Sequence, residues 1–116
     1  HLQDKYTVYP ITREQFSLLD EQAVTEFFEK ENIDVVFHCA NQGGSRKTDY
    51  DVAAPDVIGN NLKMFFNMER CLKDGMKLIN FGSGAQYNKA RDLVKVKEDT
   101  IGTVIPKDDY GYSKYV

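Results

Sequence analysis

Ile33-Asp34-Val35-Val36-Phe37-His38-Cys39-Ala40 is the stretch that decides the fold. It is nearly continuous in apolar residues and β-branched at its centre, and it is far too short to span a membrane. Such a run predicts a strand of a parallel sheet covered on both faces, because crossover helices shield such sheets from water on either side. Just upstream, residues 22–31 carry Val24, Phe27 and Phe28 at helical spacing with charge between them. Asp20 stands where an N-cap belongs, since its short carboxylate can accept from the free N–H groups of a first helical turn. Further back, residues 6–11 (YTVYPI) read as another strand, with Pro10 marking an edge or an end.

Downstream of the central run lies a polar loop, residues 41–47, whose glycines permit left-handed backbone or close approach to a ligand. Residues 55–72 then form a long helical pattern. Val57, Ile58, Leu62, Phe65, Phe66 and Leu72 exceed one narrow stripe, which predicts a helix covered on more than one side. Asp74-Gly75 breaks it. Residues 77–81 (KLINF) are the next buried strand, opening into Gly82-Ser83-Gly84-Ala85. Residues 88–107 read as a mobile charged loop that leads through Pro106 and Asp108-Asp109 into a last helix. Strand, helix, strand, helix, strand and helix start in that order predict an α/β fold, a doubly wound parallel sheet. In such sheets ligands bind beyond the carboxyl ends of the strands. Arg13, Asp20, Asn41 and Ser83 all fall at those ends.

The bulk composition narrows the function. Of 116 residues, 15 are basic and 18 acidic, a net charge of -3 with neutral histidines. That balance carries no electrostatic footprint for nucleic acid or an anionic membrane. Cys39 and Cys71 read as buried reduced thiols, which together with the missing membrane run points to a cytoplasmic protein. No Cys/His spacing suits zinc.

The chemistry concentrates in Asp109-Tyr110-Gly111-Tyr112-Ser113-Lys114. On a helix, Tyr110 and Lys114 share one face, one turn apart. A phenol ordinarily titrates near 10, and an ammonium held beside it favours the phenolate, which makes such a pair usable for proton transfer near neutral pH. Tyr112 has no such partner, because Val116 lies four residues on.

Taken together, these residues make the chain resemble the extended short-chain dehydrogenase/reductase family, the NAD(P)-dependent epimerases, dehydratases and reductases of nucleotide sugars. Asp20 matches the acidic residue that contacts adenine. His38-Cys39-Ala40-Asn41 matches the strand end beside the cofactor, Asn60-Asn61 the motif of the fourth helix, Ser83 the catalytic serine, and Tyr110 with Lys114 the Tyr-x-x-x-Lys pair. The resemblance implies hydride transfer. Ser83, Tyr110 and Lys114 would be catalytic, and Arg13, Asp20, Ala40, Asn41, Asn61, Tyr110 and Lys114 would bind the cofactor. Residues 8–44 are similar to the GDP-fucose synthases, which favours NADP over NAD, with Arg13 on the 2′-phosphate.

The same likeness implies a nucleotide-sugar substrate and a homodimer formed through the 55–72 helix and the helix starting near Tyr110. It also implies that residues 1–116 form a partial Rossmann-like NAD(P)-binding domain. The Gly-rich turn after the family's first strand and the C-terminal substrate domain have no counterpart in the chain, which predicts a fragment that is inactive alone. Gly84 and Ala85 occupy the places where related dehydratases carry an Asp-Glu pair, so dehydration is disfavoured. Oxidation, reduction or 4-epimerisation remain. The alternative is a non-catalytic relative that keeps the fold to bind a dinucleotide or a partner protein.

Overall fold

The computed structural model describes residues 2–43, 56–88 and 94–116. Among these residues three α-helices and two strands carry the architecture: α1 (Glu21–Lys30), β1 (Val35–His38), α2 (Val57–Glu69), β2 (Lys77–Asn80) and α3 (Asp109–Tyr115). β1 and β2 pair in parallel, Val35 opposite Lys77 and His38 opposite Asn80, so α2 is the crossover of a βαβ unit. α1 starts where its chemistry predicts. The Asp20 side chain accepts from Ala23 N at 3.2 Å, and the N–H of Glu31 closes the other end on Phe27 O. The last helix, α3, is capped the same way by Asp108, which accepts from Gly111 N at 2.8 Å.

The core is built where α1 crosses the C-terminal part of α2. Val24, Phe28 and Met68 are buried together, with Phe16, Leu18, Phe27, Val36, Cys71, Leu72 and Met76 packed around them. Polar ties also hold this crossing. Asn67, fully buried, donates from Nδ2 to Leu18 O at 2.9 Å, and Arg70 pairs with Glu21. Burying a valine or phenylalanine side chain is worth about 1.5–3 kcal/mol, so this cluster outweighs the exposed Arg70–Glu21 pair.

Three expectations are corrected. Residues 6–11 do not form a strand. A strand exists through a neighbour's N–H and C=O groups, and this segment instead lies against α1, with Tyr9 edge-on to Phe27. Second, the sheet is not covered on both faces among the described residues. Successive side chains of a strand alternate, so Val36 and His38 point to the helices while Val35, Phe37, Ile79 and Phe81 stay exposed, the last at 52%. The described part is therefore wound on one face only. Third, Cys39 lies on that open face and is exposed, whereas Cys71 is half-buried.

α2 buries Val57, Asn61, Met64, Asn67 and Met68 and leaves Phe66 outward. Its covered surface is thus one broad face rather than the whole circumference. In the 88–107 segment Asn88 is buried and its Nδ2 donates to Ile105 O at 2.9 Å, and a short 3-10 turn forms at Glu98–Thr100. Residues 89–93 of that segment, residues 44–47 of the polar loop and the first turn expected at Pro55 lie outside the described residues.

Candidate active site

The carboxyl ends of β1 and β2 each open into a short turn, and α3 docks onto both. After β2 the chain runs through Phe81 and Gly82 to Ser83, which N-caps a 3-10 turn, Gly84–Gln86, by accepting from Ala85 N at 3.2 Å. Gly82 and Gly84 carry no side chain, and the space where one would project is open. The nearest atom to a methyl on Gly82 would be Gln86 Oε1 at 3.8 Å, and nothing would lie within 4 Å of one on Gly84. A crevice of this kind above parallel strands suits a flat ring and a ribose.

α3 approaches this turn closely. A methyl on Gly111 would meet Ala85 O at 2.6 Å and Pro106 Cβ at 3.0 Å, so only glycine lets the helix pack here without a shift. That close approach brings Lys114 over the end of β2, where its Nζ donates to Phe81 O at 3.2 Å. Tyr110, in the first turn of α3, lies beside Gly43. A methyl built on Gly43 would meet Tyr110 Cβ at 3.4 Å, and the φ of +77° at Gly43 is one that residues with side chains rarely adopt.

The turn after β1 is clamped to both helices by one amide. Asn61 Oδ1 accepts from Gln42 N at 2.7 Å, while its Nδ2 donates to Gln42 O and to Ser113 Oγ, each at 3.0 Å. Ser113 Oγ in turn donates to Tyr110 O at 2.8 Å. Neighbouring Asn60 adds Nδ2 to Gln42 Oε1 at 2.8 Å. Both amide hydrogens of Asn61 are thus committed within the chain, and its side chain, 8% exposed, holds the 41–43 turn and α3 in register.

The fold therefore gathers Ser83, Tyr110, Lys114 and the Ala40–Asn41–Gly43 turn around the carboxyl end of the sheet. Asn41 is exposed there, its Nδ2 on Gly43 O at 3.3 Å, and Ala40 is half-buried. Arg13 and Asp20 stand apart. Asp20 spends its carboxylate on the cap of α1, at the end of that helix tied to the C-terminal part of α2, and Arg13 is exposed in the turn before it.

Sequence reasoning placed His38 in the strand end beside the cofactor without a side-chain role of its own, and the fold buries it directly beneath the site at 5% exposure. Burial, and next the Lys114 cation, hold its imidazole below the usual histidine range, so it is neutral at pH 7. Its position in an apolar run gave no signal for this, because the period of a strand does not tell which face is covered.

Among the described residues no helix is long and apolar enough to cross a membrane. No curated protein and no solved structure matches the chain. The family model described as NAD dependent epimerase/dehydratase matches residues 1–116, which implies a Rossmann-like α/β fold that binds NAD(P). A sheet whose carboxyl end bears an open glycine turn and a docked Tyr-x-x-x-Lys helix agrees with that match, and the chain belongs to the NAD dependent epimerase/dehydratase family.

Proposed function

We propose that the protein serves an NAD(P)-dependent nucleotide-sugar epimerase or reductase that works through Ser83, Tyr110 and Lys114. The observation that carries the reading is the seating of α3: Gly111 against Ala85 O and Lys114 Nζ on Phe81 O put the Tyr110–Lys114 helix directly over the Ser83 turn. A bound nicotinamide supplies the hydride acceptor. The protein's part is to move the proton and orient the sugar. Tyr110 takes the proton of the sugar hydroxyl as the adjacent C–H leaves as hydride, and it returns the proton on reduction. Ser83 hydrogen-bonds the reacting oxygen and supports its developing charge. Lys114 brings fixed positive charge to the same side and reaches the ribose hydroxyls. Gly84 and Ala85 transfer no proton, which favours redox chemistry or 4-epimerisation over dehydration.

The adenosine end of the cofactor belongs to Asp20 and Arg13 in this reading, with NADP preferred over NAD. Calorimetric titration of NADPH and NADH into the full-length protein, wild type and Arg13→Ala, tests it. NADPH is expected to bind more tightly, and the variant to lose about tenfold in NADPH affinity alone, the worth of one charge-assisted hydrogen bond. Absence of binding by either nucleotide would sink the oxidoreductase reading in favour of a scaffold that recognises a protein partner.

Pairing of two copies through α2 and α3 belongs to the same proposal. Phe66 on α2 and Tyr112 on α3 both remain exposed in the single chain. Equilibrium sedimentation is expected to return twice the mass of one chain, and a monomer at every concentration would end the idea.

A further inference from the structure

We propose that the cavity between residues 86–88 and the 94–104 loop is a second ligand site, separate from the crevice at Ser83, and that it takes a small ring compound carrying a phosphate, of the glycosyl phosphate class. The inference goes beyond the reading above and does not depend on hydride transfer.

The cavity holds about 210 Å³. Pockets for drug-sized ligands run to about 300–1,000 Å³, so this one suits a single ring with one charged group and is too small for a dinucleotide. Its lining divides by chemistry. Tyr87, Val96 and Val104 supply an apolar wall for the C–H face of a ring, while Lys95 and Lys97 bring two cations. Neither ammonium has an ion-pair or hydrogen-bond partner among the described residues. Glu98 and Asp99 follow on the same turn but do not line the cavity, so no acidic side chain among the described residues faces the two lysines from its wall. An ammonium is a compact charge with donors only, and a phosphate offers the acceptor oxygens that two of them need.

The loop is shaped in advance of any ligand. Lys97 O accepts from Thr100 N at 3.1 Å and from Thr100 Oγ1 at 2.7 Å, and Thr103 Oγ1 donates to Thr100 O at 2.8 Å. Lys95 stands at a φ of +53°, a left-handed backbone that a residue with a side chain adopts at a cost. Glycine would hold that turn more cheaply. Strain kept at a lysine in a cavity wall is explained by what its ammonium binds there.

The walls are shared with the candidate active site. Gln86 ends the turn that Ser83 caps, and its N–H donates to Ser83 O at 3.1 Å. On the far side a methyl on Gly102 would meet Tyr115 Oη at 3.4 Å, so the loop rests on α3 one residue beyond Lys114. Two sources carry the same chemistry: the sugar-phosphate part of a nucleotide sugar, and a free sugar phosphate.

The test is calorimetric titration of glucose 1-phosphate, UDP-glucose, glucose and inorganic phosphate into the full-length protein. Glucose 1-phosphate is expected to bind at least about tenfold more tightly than glucose or inorganic phosphate, since it alone of the three meets both the apolar wall and the lysines. Lys97→Gln is expected to cost about tenfold, the worth of one charge-assisted hydrogen bond. Lys95→Gly is expected to cost as much while the melting temperature stays level or rises, because glycine relieves the left-handed turn. A loss in Lys97→Gln that UDP-glucose shares supports the site as the seat of the nucleotide sugar's phosphate, and a loss confined to glucose 1-phosphate supports it as a site for the free compound. Absence of glucose 1-phosphate binding, equal binding of inorganic phosphate, or an affinity untouched by both substitutions overturns the proposal.

Discussion

Tyr110→Phe is expected to lower kcat by about 10²–10⁴-fold, the usual contribution of a placed acid/base group. The substitution removes one hydroxyl and little else. The ring stays packed beside Gly43, the backbone carbonyl of residue 110 still accepts from Ser113 Oγ, and Lys114 still sits on Phe81 O. Nucleotide affinity is therefore expected to move by no more than about threefold, since the positioning contacts survive and only the proton-transferring group is lost. Steady-state kinetics of the full-length protein with a nucleotide-sugar substrate, alongside direct nucleotide titration, separates the two quantities. A variant that keeps its kcat would remove Tyr110 from the chemistry and leave the Tyr-x-x-x-Lys pair as a helix start without a catalytic role.

The largest stability effect is expected at Asn61. Replacing it by leucine keeps the branched shape of the side chain but deletes three hydrogen bonds at once. The Gln42 N–H loses its acceptor, Gln42 O and Ser113 Oγ lose a donor, and all three lie where water reaches poorly. At about 1–3 kcal/mol for each group left unsatisfied, and with Asn60 still holding Gln42 Oε1, a net loss of about 3 kcal/mol is expected. For a chain of this size that lowers the melting temperature by roughly 10–20 °C. Denaturant unfolding should show the same loss as a lower midpoint with an unchanged slope, because the surface exposed on unfolding does not change. A loss below about 1 kcal/mol would mean that the 41–43 turn and α3 are held by something other than this amide. Because the clamp aligns α3, the same variant is also expected to weaken catalysis, through Tyr110 and Lys114 rather than through any contact of its own.

His38 and Asn61, the latter already marked by its motif, show why the contacts of the site could not be read along the chain. Both fall within patterns that local periodicity explains as strand and helix. What sets each environment is a partner 19 to 52 positions away for Asn61, and for His38 burial beside Phe65 of α2. Gly111 is similar: nothing in Tyr-Gly-Tyr announces that Ala85 O lies where its side chain would be.

By itself the sequence determined the local elements and their order. The helical spacing of Val24, Phe27 and Phe28, the cap at Asp20, the break at Asp74-Gly75, the helix start after Asp108-Asp109 and the two apolar strand runs all reappear in the structure, because each depends on interactions within a few residues. The order strand, helix, strand, helix likewise brought the serine turn and the Tyr-x-x-x-Lys helix to one end of the sheet. Only the tertiary structure decided the rest. Residues 6–11 have strand composition but no strand, since pairing is a property of two segments. Phe37 and Cys39 are exposed while His38 is buried, since a pleat alternates its side chains and packing alone selects the covered face. The burial of that imidazole beside Phe65, a residue that folding brings from the next helix, is the feature least visible in the chain.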